Sequence, residues 1–380
     1  MNMNPTNYRI CSKTVMDTLG DPDISFDENG VCNYYYEFSK KLKIRVPEKE
    51  EAKIQLNNIV NKIKLSGKGK NYDCIIGVSG GVDSTYTAYL VKQVGLRPLA
   101  VHLDNGWNSE LAVKNIENIL NKLNIDLYTH VIDWEMFKDL QQSFLKASTP
   151  DSEIPTDHAI LSILYSIADK HGVKYIISGM NFRNEGMLPP SWARGYLDWK
   201  YIKGVQKRFG TKKISTFPHL SISKFLYYNI VKKISSISFL NYIEFNKSEA
   251  MEIIQKELGW TNYGGKHHES IYTRFFQSYI LPKKFNIDKR KAHLTCLIIS
   301  AGEVTREEAL KVLKEEPADP KLMASDKEYL IKKFDITEQD FEDIMNSPVK
   351  SILDYPNHYK LETMFRKTLL KLRELNLLPN

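Results

Sequence analysis

Between positions 72 and 178, apolar runs of strand length alternate with segments whose apolar residues recur at helical spacing. The apolar runs lie at 72–78, 97–103, 127–132 and 174–178, and the helical patterns fill 85–94, 110–123 and 157–171. Alternation of this kind predicts parallel strands joined by crossover helices, an open α/β sheet. Ahead of it, 47–65 interleaves Ile54, Ile59, Ile63 and Leu65 with charges, as an amphipathic helix does, and Gly67-Lys68-Gly69-Lys70 reads as a linker. The first part of the chain is aromatic and turn-rich, with Gly20-Asp21-Pro22-Asp23 and Asp27-Glu28-Asn29-Gly30 as turn signals. Beyond position 235 the strand signal fades, and 247–258, 305–315, 326–334, 337–345 and 360–375 read as helices. Thr305 followed by Glu308 fits a capping box, and the helix at 337 has acids in its first turn, as the helix dipole prefers. The expected division is an N-terminal knuckle and helix (1–70), an α/β domain (71–235) and a helical C-terminal domain that completes the site (236–380).

Three of the strands end in polar clusters: 79–84, Asp104-Asn105-Gly106, and Ser178-Gly179-Met180-Asn181. In open α/β sheets ligands bind beyond the carboxyl ends of the strands, so the clusters mark one rim. The first, Ser79-Gly80-Gly81-Val82-Asp83-Ser84, turns a strand into a helix. Adjacent glycines let the backbone turn sharply and approach a ligand closely. The helix that follows points its free N–H groups, and about half a positive charge of macrodipole, at the same spot. Such an arrangement binds phosphate or pyrophosphate. A bare Gly-Gly needs no explanation beyond packing; serines on both sides and the Asp favour the phosphate reading. No Lys follows the glycines, and the spacing is not that of a dinucleotide fingerprint.

This loop resembles the PP-loop of the ATP pyrophosphatases, whose fold is adenine nucleotide alpha hydrolase-like. That group holds GMP synthetase, asparagine synthetase and the tRNA thiolation enzymes. The resemblance implies cleavage of ATP between its α and β phosphates and adenylation of a carbonyl-type oxygen. It also implies that Ser79, Gly80, Gly81, Val82 and Ser84 cradle the pyrophosphate and that Asp83 positions Mg²⁺, which takes oxygen ligands. Asp104 and Gly179, at neighbouring strand ends, would border the nucleotide.

Other polar segments are candidates by residue type. Gly264-Gly265-Lys266-His267-His268-Glu269-Ser270 continues to Arg274 and Gln277. There Lys266 and Arg274 would neutralise phosphate charge, and His267, His268 and Glu269 would move protons or touch substrate. A solvated helix start after a glycine turn explains the same residues. Metal binding is the weaker reading, because adjacent histidines do not share a helix face. Asn181, Arg183 and Glu185 follow a strand end at the rim, where Glu185 suits proton handling and the others substrate contacts. Asp157 and His158 are further substrate candidates, although Asp157 or Thr156 there also suits a helix cap and a lone His is more often structural.

The chain has 380 residues, 42% of them hydrophobic, enough for one sizeable core and a smaller unit. Its net charge of +7 mixes 53 basic with 46 acidic residues and shows no concentrated basic arm or face, so no nucleic acid is expected. Four scattered cysteines suit a reducing compartment. A polar N-terminus and the lack of a membrane-length apolar run complete the expectation of a cytoplasmic protein without membrane contact.

Taken together, Val15-Met16-Asp17-Thr18, Asp21-Pro22-Asp23-Ile24, the segment 26–32, the PP-loop, 181–189 and 264–277 resemble the N-acetyl sugar amidotransferases of surface-polysaccharide (lipopolysaccharide O-antigen) and flagellin-glycan biosynthesis. The likeness runs from about residue 8 to at least 310. It implies that ATP activates an acetamido oxygen of a nucleotide-linked diacetamido sugar and that ammonia replaces it, giving an acetamidino sugar and AMP. It further implies ammonia from a glutaminase subunit through a barrel-shaped, cyclase-like partner. The residues agree on one point, since no cysteine has a glutaminase setting: position 2 is Asn, and Cys11, Cys32, Cys74 and Cys296 lack flanking glycines at ±2. Family members commonly open with two Cys-x-x-Cys pairs, a zinc-ribbon spacing. Here the pairs read Cys11-Ser12-Lys13-Thr14 and Cys32-Asn33-Tyr34-Tyr35, so no zinc is expected and Tyr34, Tyr35, Tyr36 and Phe38 are expected to hold the knuckle. Rival readings are a tRNA-modifying PP-loop enzyme and a non-catalytic subunit that keeps a nucleotide site.

Overall fold

The computed structural model describes residues 8–264, 269–300 and 304–361, with 363, 364, 368 and 371. In chain order the elements that build the framework are α1 (Asn33–Arg45), α2 (Lys49–Ser66), β1 (Cys74–Gly77), α3 (Val82–Gln93), β2 (Pro98–Asp104), α4 (Glu110–Leu123), β3 (Asp126–Val131), α5 (Trp134–Ala147), α6 (Ile154–Lys170), β4 (Tyr175–Ser178), α7 (Phe182–Glu185), α8 (Trp199–Phe209), α9 (Ile222–Leu226) and β5 (Ser235–Ser238). Then come α10 (Lys247–Leu258), α11 (Ile271–Phe275), α12 (Leu281–Phe285), α13 (Lys289–Ser300), α14 (Arg306–Val312), α15 (Pro320–Phe334) and α16 (Glu338–Asn346).

The strands form one parallel sheet in the order β3-β2-β1-β4-β5. Side chains alternate across a strand, and β1 sorts its residues accordingly. Ile75 faces the cluster of Leu99, Val101 and Ile176 with α5 and α6, whereas Cys74 and Ile76 face Ala100, Ile177 and Ile237 with α3, α4 and α10. Both faces are thus covered, as a parallel sheet requires. The chain winds outward from β1 to β3 and then returns to the other side of β1 to lay down β4. That reversal opens a crevice at the carboxyl ends of β1 and β4, where such sheets bind ligands.

The strands expected at 72–78, 97–103, 127–132 and 174–178 are β1 to β4. The fifth strand was not expected, because Ser235-Ser236-Ile237-Ser238 offers a single apolar residue to the pattern. Tertiary pairing with β4 makes it a strand, and it crosses the expected boundary at 235. The capping boxes at Thr305 and Thr337 are present, with Glu308 and Asp340 as their acidic partners. The helix at 326–334 begins earlier, at Pro320, because Asp319 caps it by accepting from Lys321 N. The helix expected at 360–375 lies mostly outside the described residues.

The knuckle is pinned to the far end of the chain. Arg306 Nε donates to the carbonyls of Cys11 and Thr14 at 3.1 and 2.9 Å, and Lys291 pairs with Asp17 at 2.5 Å. Cys11 and Cys32 are buried side by side, with Cys32 N donating to Cys11 Sγ at 3.2 Å. Tyr34 and Phe38 are buried as expected, and Phe38 stacks on Phe182. Tyr36 corrects that expectation: it is exposed and donates its hydroxyl to Asp27 at 2.7 Å. The expected linker at 67–70 is also tied down, since Arg97 donates to Gly67 and Lys70 carbonyls at 3.0 and 2.8 Å.

Candidate functional site

The loop between β1 and α3 is shaped by its own side chains. Gly80 has φ of +80°, a region that L side chains rarely adopt, and a Cβ there would lie 2.7 Å from Ala112 O. Ser79 Oγ accepts from Gly81 N at 3.3 Å, and Ser84 Oγ donates to Gly81 O at 3.1 Å. The two serine hydroxyls lie 3.2 Å apart. This fixes the turn and leaves the first turn of α3, with Val82 and Asp83, beginning at its mouth. Gly179, just past β4, closes on the same helix: a Cβ there would come within 3.1 Å of the Asp83 backbone.

A second segment roofs the loop. Trp260 donates its indole N–H to Gly80 O at 2.8 Å. Asn115 of α4 grips Thr261 twice, donating to its carbonyl at 2.8 Å and accepting from its N–H at 2.9 Å. Farther on, Asn108 and Ser270 pair as an antiparallel bridge, and Ser109 N donates to Glu269 O at 2.9 Å. A Cβ on Gly81 would lie 3.1 Å from the Tyr263 hydroxyl and 3.4 Å from Glu269 Oε1. Burial, reinforced by the carboxylates of Glu269 and Asp83, pushes the Tyr263 hydroxyl up and keeps it protonated. A side chain at Gly81 would therefore fill the space between loop and roof. The ATP and Mg²⁺ that a PP-loop implies fit these residues, with helical N–H groups and hydroxyls for phosphate and a carboxylate at the helix start for the metal.

The neighbouring strand end contributes His102, whose Nδ1 donates to Val78 O at 2.9 Å while Nε2 accepts from Asn108 at 3.1 Å. Asp104 accepts from Gly106 N at 3.0 Å, and Lys333 donates to the Gly106 carbonyl. Asn105 reaches across to Thr156 at 3.3 Å, joining this rim to the start of α6.

The structure brings Ser79, Gly80, Gly81, Val82, Asp83, Ser84, Gly179 and Glu269 to one place, with Asp104 on the adjacent strand end and Asp157 at the start of α6. Glu185 ends the short helix α7. Lys266 and His267 lie outside the described residues.

Four expectations need correction. Arg274 is committed to Asp326, donating Nε and Nη2 at 2.8 and 2.7 Å in a largely buried pair. It holds α11 against α15 rather than facing phosphate. His158 is fully buried, with Nδ1 donating to Tyr196 O at 2.6 Å and Nε2 accepting from Leu220 N at 3.0 Å. Burial lowers its pKa to about 4, so it is a neutral core residue stacked on Trp199. Asn181 is fully buried and caps α7 by accepting from Arg183 N at 3.0 Å. Arg183 Nη1 donates to the Leu240 and Ile243 carbonyls at 3.2 and 3.1 Å, tethering the segment after β5.

Sequence reading missed Trp260, Tyr263 and Asn115. For Trp260 and Tyr263 the signal was the aromatic pair ahead of Gly264, which begins the site four positions earlier than its polar residues suggest. Asn115, inside the apolar pattern of α4, had no local signal.

Two families match separate parts of the chain. Residues 73–192 match the family described as queuosine biosynthesis protein QueC, and residues 269–369 match the LPS biosynthesis protein WbpG-like C-terminal domain. A GMP synthase (glutamine-hydrolyzing) of Pyrobaculum aerophilum is 34% identical over 154 residues, 40% of this chain and 28% of that protein. An uncharacterized protein of Methanocaldococcus jannaschii is 30% identical over 135 residues, 35% of this chain and 46% of its own length. A tRNA-specific 2-thiouridylase, MnmA 2, of Fusobacterium nucleatum is 33% identical over 111 residues, 28% and 32% of the two chains. The chain spans less than half the length of each of these relatives. A QueC-like PP-loop domain followed by a WbpG-like C-terminal domain is consistent with the N-acetyl sugar amidotransferase family within the PP-loop ATP pyrophosphatases.

Proposed function

We propose that this chain is an ATP-dependent amidotransferase that adenylates an acetamido oxygen of a nucleotide-linked diacetamido sugar and replaces that oxygen with ammonia. The observation that carries the reading is the position of Glu269. It is the first residue of the WbpG-like match, and its carboxylate stands at Gly81, inside the QueC-like match. Nucleotide loop and C-terminal domain thus meet in one site.

In this reading the N–H groups of the loop and of α3, with the Ser79 and Ser84 hydroxyls, hold the pyrophosphate as it separates from the α-phosphate. Asp83, the carboxylate at the helix start, would hold Mg²⁺, which would supply neutralisation of phosphate charge. Tyr263, kept protonated, donates a hydrogen bond at the loop, and the roof of 260–263 keeps water from the activated amide. Glu269 and Glu185 are the carboxylates for proton handling. Nitrogen comes as ammonia, delivered by a glutaminase subunit with a barrel-shaped partner, and the product serves lipopolysaccharide or flagellin glycans. The reaction belongs to the cytoplasm, and no helix among the described residues is long and apolar enough to cross a membrane.

A sulfur-transferring role on tRNA is less well supported by the thiols. All four cysteines are buried, and burial pushes the Cys74 thiol, beside the loop, up and away from the reactive thiolate such transfer uses. The hydrogen bond with Cys32 lowers the Cys11 thiol to about 5, but that pair lies in the knuckle held by Arg306. The test is incubation of the pure protein with ATP, Mg²⁺, ammonium and nucleotide-linked diacetamido sugars, with mass spectrometry for AMP and for exchange of oxygen by NH. AMP without a modified sugar, but with a modified tRNA, would reverse the choice.

A further inference from the structure

The two edges of the sheet are finished differently. At one end β5 is four residues long, Ser235-Ser236-Ile237-Ser238, and Lys232 and Lys233 stand just before it. Shortness and neighbouring lysines keep a sheet edge from pairing with another chain. At the other end β3 runs for six residues, Asp126-Leu127-Tyr128-Thr129-His130-Val131, with no Lys or Pro among them. Its register with β2 is unbroken, so no bulge twists the edge away.

One hydrogen bond tells which backbone groups of β3 are free. Ile132 N donates to Asp104 O of β2 at 3.0 Å. The N–H and C=O of a strand residue point to the same side, and successive residues alternate. The groups of Asp126, Tyr128 and His130 therefore turn toward β2, and those of Leu127, Thr129 and Val131 turn outward. Among the described residues, no backbone partner from outside the sheet meets these three. Their side chains are exposed as well, Leu127 at 44% and Val131 at 70%. Free backbone and apolar side chains thus lie along one line, the combination that templates strand addition.

The line is complementary to itself. An antiparallel copy, related by a two-fold axis at Thr129, places Thr129 on Thr129 and Leu127 opposite Val131 on either side. All three outward residues then meet outward residues, and each such pair exchanges both of its N–H to C=O bonds. Leu against Val and Thr against Thr are favourable cross-strand neighbours. Tyr128 comes opposite His130 and Asp126 opposite Ile132, so no like charges are opposed. A slip of one residue would set outward groups against inward ones and lose the match.

We infer that β3 is an interaction edge for a second copy of this chain, paired antiparallel through Leu127, Thr129 and Val131. The two five-stranded sheets become one continuous sheet across the axis. Because the strands run in opposite directions, the two carboxyl rims face opposite ways and both nucleotide loops stay open. One strand from each copy buries less than the roughly 800 Å² per partner of a standard interface. The pair is therefore a reversible one whose population rises with concentration.

Sedimentation equilibrium of the full chain, from the micromolar range upward, tests this. A reversible monomer–dimer equilibrium is expected. Leu127→Lys/Val131→Lys opposes lysines in both outer pairs and should weaken the dimer at least about tenfold. Leu127→Glu/Val131→Lys sets opposite charges across the same two pairs and should keep it. If the two-lysine variant melts below the native chain, Thr129→Lys, which opposes two lysines at the axis, carries the same expectation. A monomer at every concentration, a dimer that the opposed lysines leave intact, or one that both double variants abolish equally would overturn the inference.

Discussion

The nucleotide loop and the ion-paired group around Glu153 at the start of α6 lie toward one edge of the sheet, but the first is built of backbone and the second of side chains. In the loop, Gly80 supplies the left-handed turn, and the ligand groups are N–H groups and hydroxyls within six consecutive residues. In the group at the start of α6, Glu153 meets Lys289 and Gln277 from more than a hundred positions away. A backbone site survives many changes around it and fails only where the chain path itself is disturbed. A side-chain site depends on every contributor keeping its charge. The two should therefore respond differently to substitution.

The largest effect is expected from Asp83→Ala, which leaves the loop path intact but removes its carboxylate. ATP-dependent pyrophosphate release should fall by at least about a hundredfold, the range for loss of one electrostatic contact in the transition state. Release at the wild-type rate would place the chemistry elsewhere.

Next comes Arg274, on α11, between Glu269 at the loop and Gln277 at Glu153. Arg274→Met should cost about 3–5 kcal/mol in urea unfolding by stranding Asp326 in a buried place. Combined with Asp326→Leu, most of that stability should return, and ATP turnover with it. A stable but inactive double variant would restore Arg274 to the chemistry.

His158 separates the core of α6 from its acidic start. The folded pKa of about 4 lies below the unfolded value of 6.5. The unfolded chain therefore binds the extra proton, and stability present above pH 6.5 is lost as pH falls toward 4. The difference amounts to about 3 kcal/mol. His158→Gln should flatten unfolding free energy across that window; an unchanged slope would mean that the ring is not held neutral.

The smallest effect should come from the roof. Trp260→Phe keeps the aromatic packing but removes the hydrogen bond to Gly80, costing about 1 kcal/mol and a few-fold in the KM for ATP. An unchanged KM would detach the roof from nucleotide binding.

The same contrast explains what could be read in the sequence. Strands β1 to β4 and the glycine turn were legible because they rest on local rules: apolar runs of the right length and a conformation that glycine favours. β5 was hidden because its strand character comes from pairing with β4 rather than from Ser-Ser-Ile-Ser. Arg274 and His158 looked chemical by residue type. Asp326 and the Tyr196 and Leu220 backbones that consume them lie 52, 38 and 62 positions away. Glu153 was not singled out, since nothing local links it to Lys289 and Gln277.

The grip of Arg306 on Cys11 and Thr14 also sets a schedule for synthesis. The opening turns of the chain emerge first, yet their seat is completed by a residue 295 positions later. Until the ribosome has delivered α14, the knuckle has no anchor there, and contacts of such long sequence separation form late. Nascent chains stalled before Arg306 should thus be clipped by protease near residue 20, and those stalled well beyond it should resist. Equal clipping of both would show that the knuckle docks without waiting.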